Sequence, residues 1–208
     1  TVCVNYRRSR TSAEVVLAQI RAAGGTAEAL QADVAVEAEV LHLFSECDRL
    51  LGPLTALVNN AGVLETQSRV TEMSAERVAR VLTVNVVSAF LCAREAIRRM
   101  STSHGGSGGT IVNVSSVAAR LGAAGEYVDY AASKAALDAF TLGLSQEVAA
   151  EGIRVNGVRP GFIYTEIHAA GGEPGRVDRV KVNLPMRRGG APEEVARAIL
   201  FFSSDESS

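Results

Sequence analysis

The sequence predicts an α/β fold, in which a parallel sheet carries helices on both faces. Short apolar and β-branched runs alternate along the chain with segments whose apolar residues recur at helical spacing. This alternation is typical of parallel strands that are joined by right-handed helical crossovers. The 208 residues suit one domain with a buried core, so we expect residues 1–208 to form a single domain.

The first half of the chain predicts three strands and two helices. Thr11 and Glu14 form a capping-box pattern that opens the first helix, and Gly24-Gly25 ends it. The second helix has apolar residues at helical spacing and is broken at Gly52-Pro53. In chain order, the five elements cover residues 1–6, 11–23, 27–30, 36–51 and 54–58.

The second half begins with a long helical pattern, which a Gly/Ser-rich loop at 101–109 separates from the next strand. Residues 165–190 are irregular and rich in Gly, Arg and Pro, and we expect them to cover the substrate. Pro192 occupies a favoured first position for the last helix. In chain order, the regular elements cover residues 74–100, 110–114, 127–151, 153–158 and 192–202.

Composition argues against several classes of partner and site. The net charge of −2 gives no argument for a nucleic acid, and no apolar run reaches the length that spans a bilayer. The three cysteines are too widely spaced for a zinc site and too few for a disulfide framework. We therefore expect a cytoplasmic protein that acts on a small molecule.

Functional residues are expected directly after the strands, because ligands of such sheets bind beyond the carboxyl ends of the strands. These positions hold Arg7-Arg8, Asp33-Val34, the run from Asn59 to Gly62, Ser115-Ser116 and Pro160-Gly161.

Tyr130 and Lys134 are four residues apart on a predicted helix, so both side chains lie on one face. An ammonium beside a phenol favours the phenolate, and a pKa lowered from about 10 toward 7 would suit proton exchange with a carbonyl or alcohol. The alternative is an aromatic and cationic pair on the surface of a helix. Ser116, directly after a strand, can hold a substrate carbonyl by a hydrogen bond or can simply cap a turn.

Several motifs together resemble the short-chain dehydrogenase/reductase family. The resemblance covers nearly the whole chain and implies a Rossmann-type, doubly wound parallel sheet. Within the family, the chain is similar to 3-oxoacyl-carrier-protein reductases and to sugar or polyol dehydrogenases. The motifs that carry it are Asn59-Asn60-Ala61-Gly62, Asn85, Ser116, Tyr130-Ala-Ala-Ser-Lys134 and Pro160-Gly161.

The resemblance implies a role for each matching residue. Tyr130 would be the general acid/base, Lys134 would lower its pKa and bind the nicotinamide ribose, and Ser116 would orient the carbonyl. Asn85 would hold a water for a proton relay, although a solvent-facing Asn in mid-helix is the alternative. The remaining implied dinucleotide contacts are Asp33, Val34, Asn60, Ala61, Gly62, Pro160, Gly161, Ile163 and Thr165.

The end of the first predicted strand indicates which dinucleotide is used. NAD-preferring enzymes place an acidic residue there for the ribose 2′-hydroxyl, whereas this chain has Tyr6 followed by Arg7 and Arg8. Two guanidinium groups suit a 2′-phosphate, so we expect NADP(H) to be preferred over NAD(H). The alternative is that both arginines only solvate a loop.

The family's first strand and its glycine-rich loop do not occur in the sequence. We therefore expect the chain to be incomplete at both ends and residues 1–208 alone to bind a dinucleotide poorly. We also expect a homo-oligomer, a tetramer or dimer, through the helices near 74–100 and 127–151. The predicted function is NADP(H)-dependent interconversion of a carbonyl and an alcohol; the alternative is a catalytically silent NADP(H)-binding or regulatory protein.

Overall fold

The computed structural model describes residues 1–208 and has the predicted α/β architecture. The five strands, β1 to β5, are Val2–Tyr6, Ala27–Gln31, Ala56–Asn59, Gly109–Val114 and Ile153–Val158. The nine α-helices, α1 to α9, are Arg10–Ala22, Glu37–Leu51, Ala75–Leu82, Ser88–Met100, Ala118–Leu121, Val128–Val148, Ile167–Ala170, Arg176–Val180 and Pro192–Ser203. The five strands and the longer helices lie where the sequence predicts them.

All strands are parallel, and they form two sheets. The first sheet pairs β1 with β2, and the second has the order β3-β4-β5. No strand pairing joins β1 to β3, and a cavity of about 730 Å³ with mainly apolar walls lies between the two sheets. Within each sheet the strands run in the same direction, so their carboxyl ends lie at one edge of that sheet. Val34, which follows β2, lines the same cavity as Asn60 and Ala61, which follow β3.

One apolar cluster fills the interior and fixes the helices against the strands. Helices α2, α4 and α6 contribute to it together with β4 and β5, and its centre includes the fully buried Val40, Met100, Ile111 and Ile153. Helix α9 packs against β4 and β5, where the Thr110 hydroxyl donates to the carbonyl of Phe202 at 3.0 Å. Judged by length and hydropathy, none of the helices qualifies as a membrane-spanning segment.

The predicted start of the first helix is wrong. Helix α1 begins at Arg10, its N-cap residue is Ser9, and no side chain caps it. Because the helix starts one residue earlier, Glu14 is one turn from Arg10 and accepts a hydrogen bond from its Nε at 2.8 Å. The pair that resembles a capping box is therefore an exposed ion pair between Glu14 and Arg10.

The long helix predicted over 74–100 is interrupted in the middle. It starts as predicted, because the Ser74 hydroxyl accepts from the amide of Arg77 at 3.2 Å. Helix α3 then passes into a π turn, Thr83–Val87, before α4 begins. A π turn widens the helix locally and commonly marks a functional site, and this one contains Asn85.

The region at 165–190 is more regular than predicted. It holds α7, α8 and a 3₁₀ turn, Lys181–Asn183, and the amide of Tyr164 donates to the carbonyl of Gly190 at its base. The loop after Ser116 also contains a short helix that periodicity does not reveal, α5. Both segments lie beyond the carboxyl ends of β4 and β5.

Candidate active site

Tyr130 and Lys134 lie on the first turns of α6, on the side that faces the ends of the strands. Lys134 is almost fully buried, and its Nζ donates to the carbonyl of Val114, the last residue of β4, at 2.7 Å. The Ser115 hydroxyl donates in turn to the carbonyl of Lys134 at 3.0 Å. These two bonds hold α6 against the end of β4 and place the Lys134 Nζ 5.7 Å from the centre of the Tyr130 ring.

Ser116 closes a turn, which is one of the two roles that the sequence leaves open, and its role toward a substrate carbonyl stays a prediction. Its Oγ accepts a hydrogen bond from the amide of Ala118 at 3.1 Å, in the turn that leads into the short helix α5. The same hydroxyl lies near enough to the Tyr130 phenol to lower its pKa. The structure therefore places the Ser116 hydroxyl near the Tyr130 phenol, although the two residues lie on different elements.

The acidity of the buried pair differs from the sequence expectation. Burial is the main influence on Tyr130 and raises the pKa of its phenol, while the nearby Ser116 hydroxyl acts in the opposite direction. Burial also lowers the pKa of Lys134 to about 8, and the nearby Asp138 carboxylate offsets part of this change. Burial disfavours the charged forms, the phenolate of Tyr130 and the ammonium of Lys134, because both lose their hydration. The predicted drop in the pKa of Tyr130 therefore does not occur in this state of the protein.

Asn85 is buried beside the pair, so the alternative of a solvent-facing residue is wrong. Its Oδ1 accepts from the amide of Val63 at 2.7 Å, and its Nδ2 donates to the carbonyl of the same residue at 3.1 Å. The Nδ2 also donates to the Ser133 hydroxyl at 2.9 Å. Asn85 thus joins the π turn to α6 and to the loop after β3; the proton-relay role stays a prediction.

The expected cofactor residues line the same edge. Arg7 forms an ion pair with Asp33, with 2.7 Å between Nε and Oδ2, and both side chains are partly exposed. Arg8 is exposed and forms no ion pair. Asp33 and Val34 follow β2, Asn60 to Gly62 follow β3, and Pro160-Gly161 follow β5, as predicted.

The space beside Lys134 suits a bound dinucleotide. A Cβ atom at Gly62 would be in ordinary contact with the Lys134 Nζ at 3.5 Å and with Asn85 Oδ1 at 3.4 Å, so the glycine keeps a space the size of a methyl group unfilled beside them. The Lys134 ammonium has three N–H donors, and its one protein acceptor is the carbonyl of Val114. Ile163 and Thr165 follow β5, and Ile163 forms a bridge with Gly190. The donor set therefore fits a ligand rich in hydroxyl groups.

Comparison with known proteins decides the family. The family described as enoyl-(acyl carrier protein) reductase matches residues 1–208. The chain is 61% identical to the uncharacterized oxidoreductase YgfF of Escherichia coli K12 over 208 residues, which is 100% of the chain and 84% of the relative. It belongs to the short-chain dehydrogenase/reductase family.

Other members of the short-chain dehydrogenase/reductase family agree in sequence and in structure. A 3-oxoacyl-[acyl-carrier-protein] reductase of Synechocystis is 36% identical over 204 residues, covering 98% of the chain and 79% of the relative. A short-chain dehydrogenase of Burkholderia cenocepacia, solved in complex with NADP, superposes with a TM-score of 0.88 at 29% identity. That match covers 99% of the chain and 80% of the Burkholderia chain. The chain is accordingly an oxidoreductase of this family with a Rossmann-type fold.

Two groups of residues in this short-chain dehydrogenase/reductase have roles that the sequence does not reveal. Ser133 accepts from Asn85 and donates to the carbonyl of Tyr130 at 2.7 Å; a small polar residue one turn from Tyr130 was the available signal. Glu126 and Tyr127 hold the 165–190 region. Glu126 pairs with Arg176, and the Tyr127 phenol donates to the carbonyl of Gly171 at 3.1 Å.

Proposed function

We propose that the protein reduces a small carbonyl compound to an alcohol with NADPH, and that Tyr130 is the proton donor. One observation carries the proposal: the Tyr130 phenol lies near the Ser116 hydroxyl, and the Nζ of the buried Lys134 is 5.7 Å from the centre of the Tyr130 ring, at the edge where the strands end. A carbonyl oxygen placed between the phenol and the hydroxyl would accept two hydrogen bonds.

The chemistry follows from what these groups can donate. A reduced nicotinamide, when bound, supplies the hydride that the carbonyl carbon takes up. Tyr130 gives its proton to the carbonyl oxygen, which completes the alcohol, and Ser116 holds that oxygen in place. A phenol with a raised pKa is fully protonated at neutral pH, so it is ready to donate. The Lys134 ammonium stabilises the phenolate that remains.

The cofactor would lie across the carboxyl ends of the strands. Lys134 would bind its ribose hydroxyl groups, Gly62 would let its backbone approach closely, and Asp33 would lie near the adenine. The Asp33 carboxylate already holds Arg7 at 2.7 Å, which fixes one guanidinium at the adenine end, while Arg8 remains free to bind a phosphate. This arrangement supports a preference for NADPH, because a 2′-phosphate suits guanidinium groups.

The proposal is tested with the full-length protein, NADPH and a panel of ketones and aldehydes, by following the loss of reduced nicotinamide absorbance. We expect turnover in the wild type and a loss of about 10²- to 10⁴-fold in kcat for Tyr130→Phe, because the proton donor is removed. The matched control is Tyr164→Phe, which removes the hydroxyl of an exposed phenol that contacts Asp178, and it should keep the wild-type rate.

Two outcomes would contradict the proposal. Binding of NADPH without turnover of any carbonyl would favour a catalytically silent binding protein. A higher kcat/KM with NADH than with NADPH would refute the cofactor preference, and with it the role of Arg8. If that role is correct, Arg8→Gln lowers kcat/KM with NADPH and leaves kcat/KM with NADH unchanged.

A further inference from the structure

A buried ion pair joins the two helices that carry the site. The Nε of Arg77, on α3, lies 2.8 Å from Oδ2 of Asp129, on α6, and a second contact joins Nη2 to Oδ1 at 3.4 Å. The two side chains are only 13% and 2% exposed. A buried ion pair adds little net stability, because removing both charges from water costs as much as their attraction returns. This pair therefore calls for an explanation other than stability.

Asp129 immediately precedes Tyr130, in the first turn of α6, where amides have no partner within the helix. Its Oδ1 accepts a hydrogen bond from the amide of Tyr130 at 2.9 Å. The same carboxylate thus binds the backbone of Tyr130 on one side and the Arg77 guanidinium on the other. Through Asp129, Arg77 holds the backbone of Tyr130 against α3.

The carbonyl of Tyr130 is held to the same pair of helices by a second link. It accepts from the Ser133 hydroxyl at 2.7 Å, and that hydroxyl accepts from Asn85 at 2.9 Å. Asn85 lies in the π turn that continues α3. Both backbone polar groups of Tyr130 are therefore bonded to side chains that connect to the α3 and π-turn segment, one on each side of the residue.

We infer that Arg77 and Asp129 are positioning residues, which fix the place of the Tyr130 phenol relative to Ser116 through the backbone of Tyr130. The inference rests on the proposed function, in which Tyr130 gives its proton to a carbonyl held by Ser116. Neither Arg77 nor Asp129 touches the reacting atoms. Their effect is on the proton transfer and not on the binding of the dinucleotide, because the pair acts on the backbone of Tyr130, whereas Lys134 is held separately by the carbonyl of Val114.

The first test is Arg77→Met in the full-length protein. A displacement of the proton donor by about 1 Å can cost on the order of 10²-fold in rate, so we expect kcat for carbonyl reduction to fall about 10- to 100-fold. The KM for NADPH should stay near the wild-type value. The control is Arg80→Met, at another arginine of α3. This change breaks the ion pair of Arg80 with Glu65, in which Nη2 and Oε1 are 2.7 Å apart. The kcat of Arg80→Met should equal that of the wild type.

The second test separates positioning from stability. In Arg77→Met/Asp129→Leu, two apolar side chains replace the ion pair, a change that is commonly neutral or stabilising. We expect the melting temperature to return to at least the wild-type value while kcat remains low. Amide exchange at Tyr130, measured by NMR, should be faster than in the wild type, because its acceptor has been removed. Recovery of kcat together with the melting temperature would overturn the inference.

The two proposals can fail separately. A wild-type protein that turns over no carbonyl overturns both the function and the positioning role. Turnover in the wild type together with an unchanged kcat in Arg77→Met overturns only the positioning role. A lowered kcat with an equal rise in the KM for NADPH would also overturn it, because the pair would then act on the cofactor site.

Discussion

Lys134 shows how one residue can serve the site at the expense of stability. Its ammonium is buried, and its pKa falls from 10.5 to about 8. Below pH 8 the side chain is charged in both the folded and the unfolded chain, so the folded state carries the full cost of burial. As the pH rises from 8 to 10.5 the folded protein releases the proton first, and the cost disappears.

Replacing Lys134 should therefore stabilise the protein while it destroys function. The pKa shift corresponds to a destabilisation of the folded state by about 3 kcal/mol, which the substitution removes. The substitution also removes the hydrogen bond to the Val114 carbonyl, which contributes about 1 kcal/mol to stability. We expect Lys134→Met to unfold at a higher urea concentration at pH 7, with a gain that shrinks above pH 8. The control is Lys181→Met at an exposed pair with Asp178. A lower stability of Lys134→Met at pH 7 would contradict the argument.

The pH dependence of reduction should also reflect Lys134. Tyr130 keeps its proton through neutral pH, since burial raises its pKa, so ionisation of the phenol does not limit the rate there. Deprotonation of Lys134 near pH 8 removes the charge that stabilises the phenolate left after proton transfer. We expect kcat/KM for the carbonyl to decline above about pH 8. In Lys134→Arg any residual activity should lack this decline, because a guanidinium stays charged.

At the scale of elements, the segment that contains α7 and α8 is held beside the start of α6 by charged and aromatic contacts. Arg176 is buried, pairs with Glu126 and Glu173, and lies 4.7 Å from the ring centre of Tyr127. Gly171, at the end of α7, packs against Leu64, which follows the Val63 that Asn85 holds. The segment is therefore fixed to the start of α6 and to the loop after β3.

Loosening this segment should weaken substrate binding more than chemistry. In Arg176→Met, Glu126 and Glu173 lose the buried one of the two arginines that pair with both of them, and only the exposed Arg179 remains. We therefore expect the KM for the carbonyl to rise about tenfold while kcat changes less than about threefold. Steady-state kinetics at saturating NADPH measures both constants. Arg188→Met, which breaks an exposed pair with Glu194 in the following segment, should leave the KM unchanged. An unchanged KM in Arg176→Met would show that the segment is not part of the substrate site.

For the molecule as a whole, the sequence predicts the features that depend only on the spacing of residues close together in the chain. The strands, the longer helices and the pair of Tyr130 and Lys134 follow from periodicity, because a helix brings residues four apart onto one face. Contacts between distant segments have no such signal. Arg77 and Asp129 meet across a helix crossing, and Asn85 is turned inward by a π turn that no spacing rule indicates. The raised pKa of Tyr130 likewise depends on burial, which only the packed structure reveals.

Two surface helices carry the remaining prediction, that the protein is a homo-oligomer. On α4 and α6, Phe90 is 50% exposed and Leu142 is 62% exposed. Phe90 stacks on Phe140 with 3.8 Å between ring centres, and Leu142 is exposed on another face of α6, so both helices present apolar side chains to solvent. A surface of this kind is typical of an interface between subunits. A charge introduced there would have to be buried without a partner on association.

We therefore expect light scattering to show a dimer or tetramer for the wild type and a smaller species for Leu142→Glu. The control is Val15→Glu, which places the same charge at a side chain on α1 that is 54% exposed, and it should keep the wild-type mass. A monomeric wild type, or an oligomer that Leu142→Glu leaves intact, would contradict the prediction. Because Leu142 lies on the same helix as Tyr130, kcat of the dissociated variant would also show whether subunit contacts through α6 keep the proton donor in place.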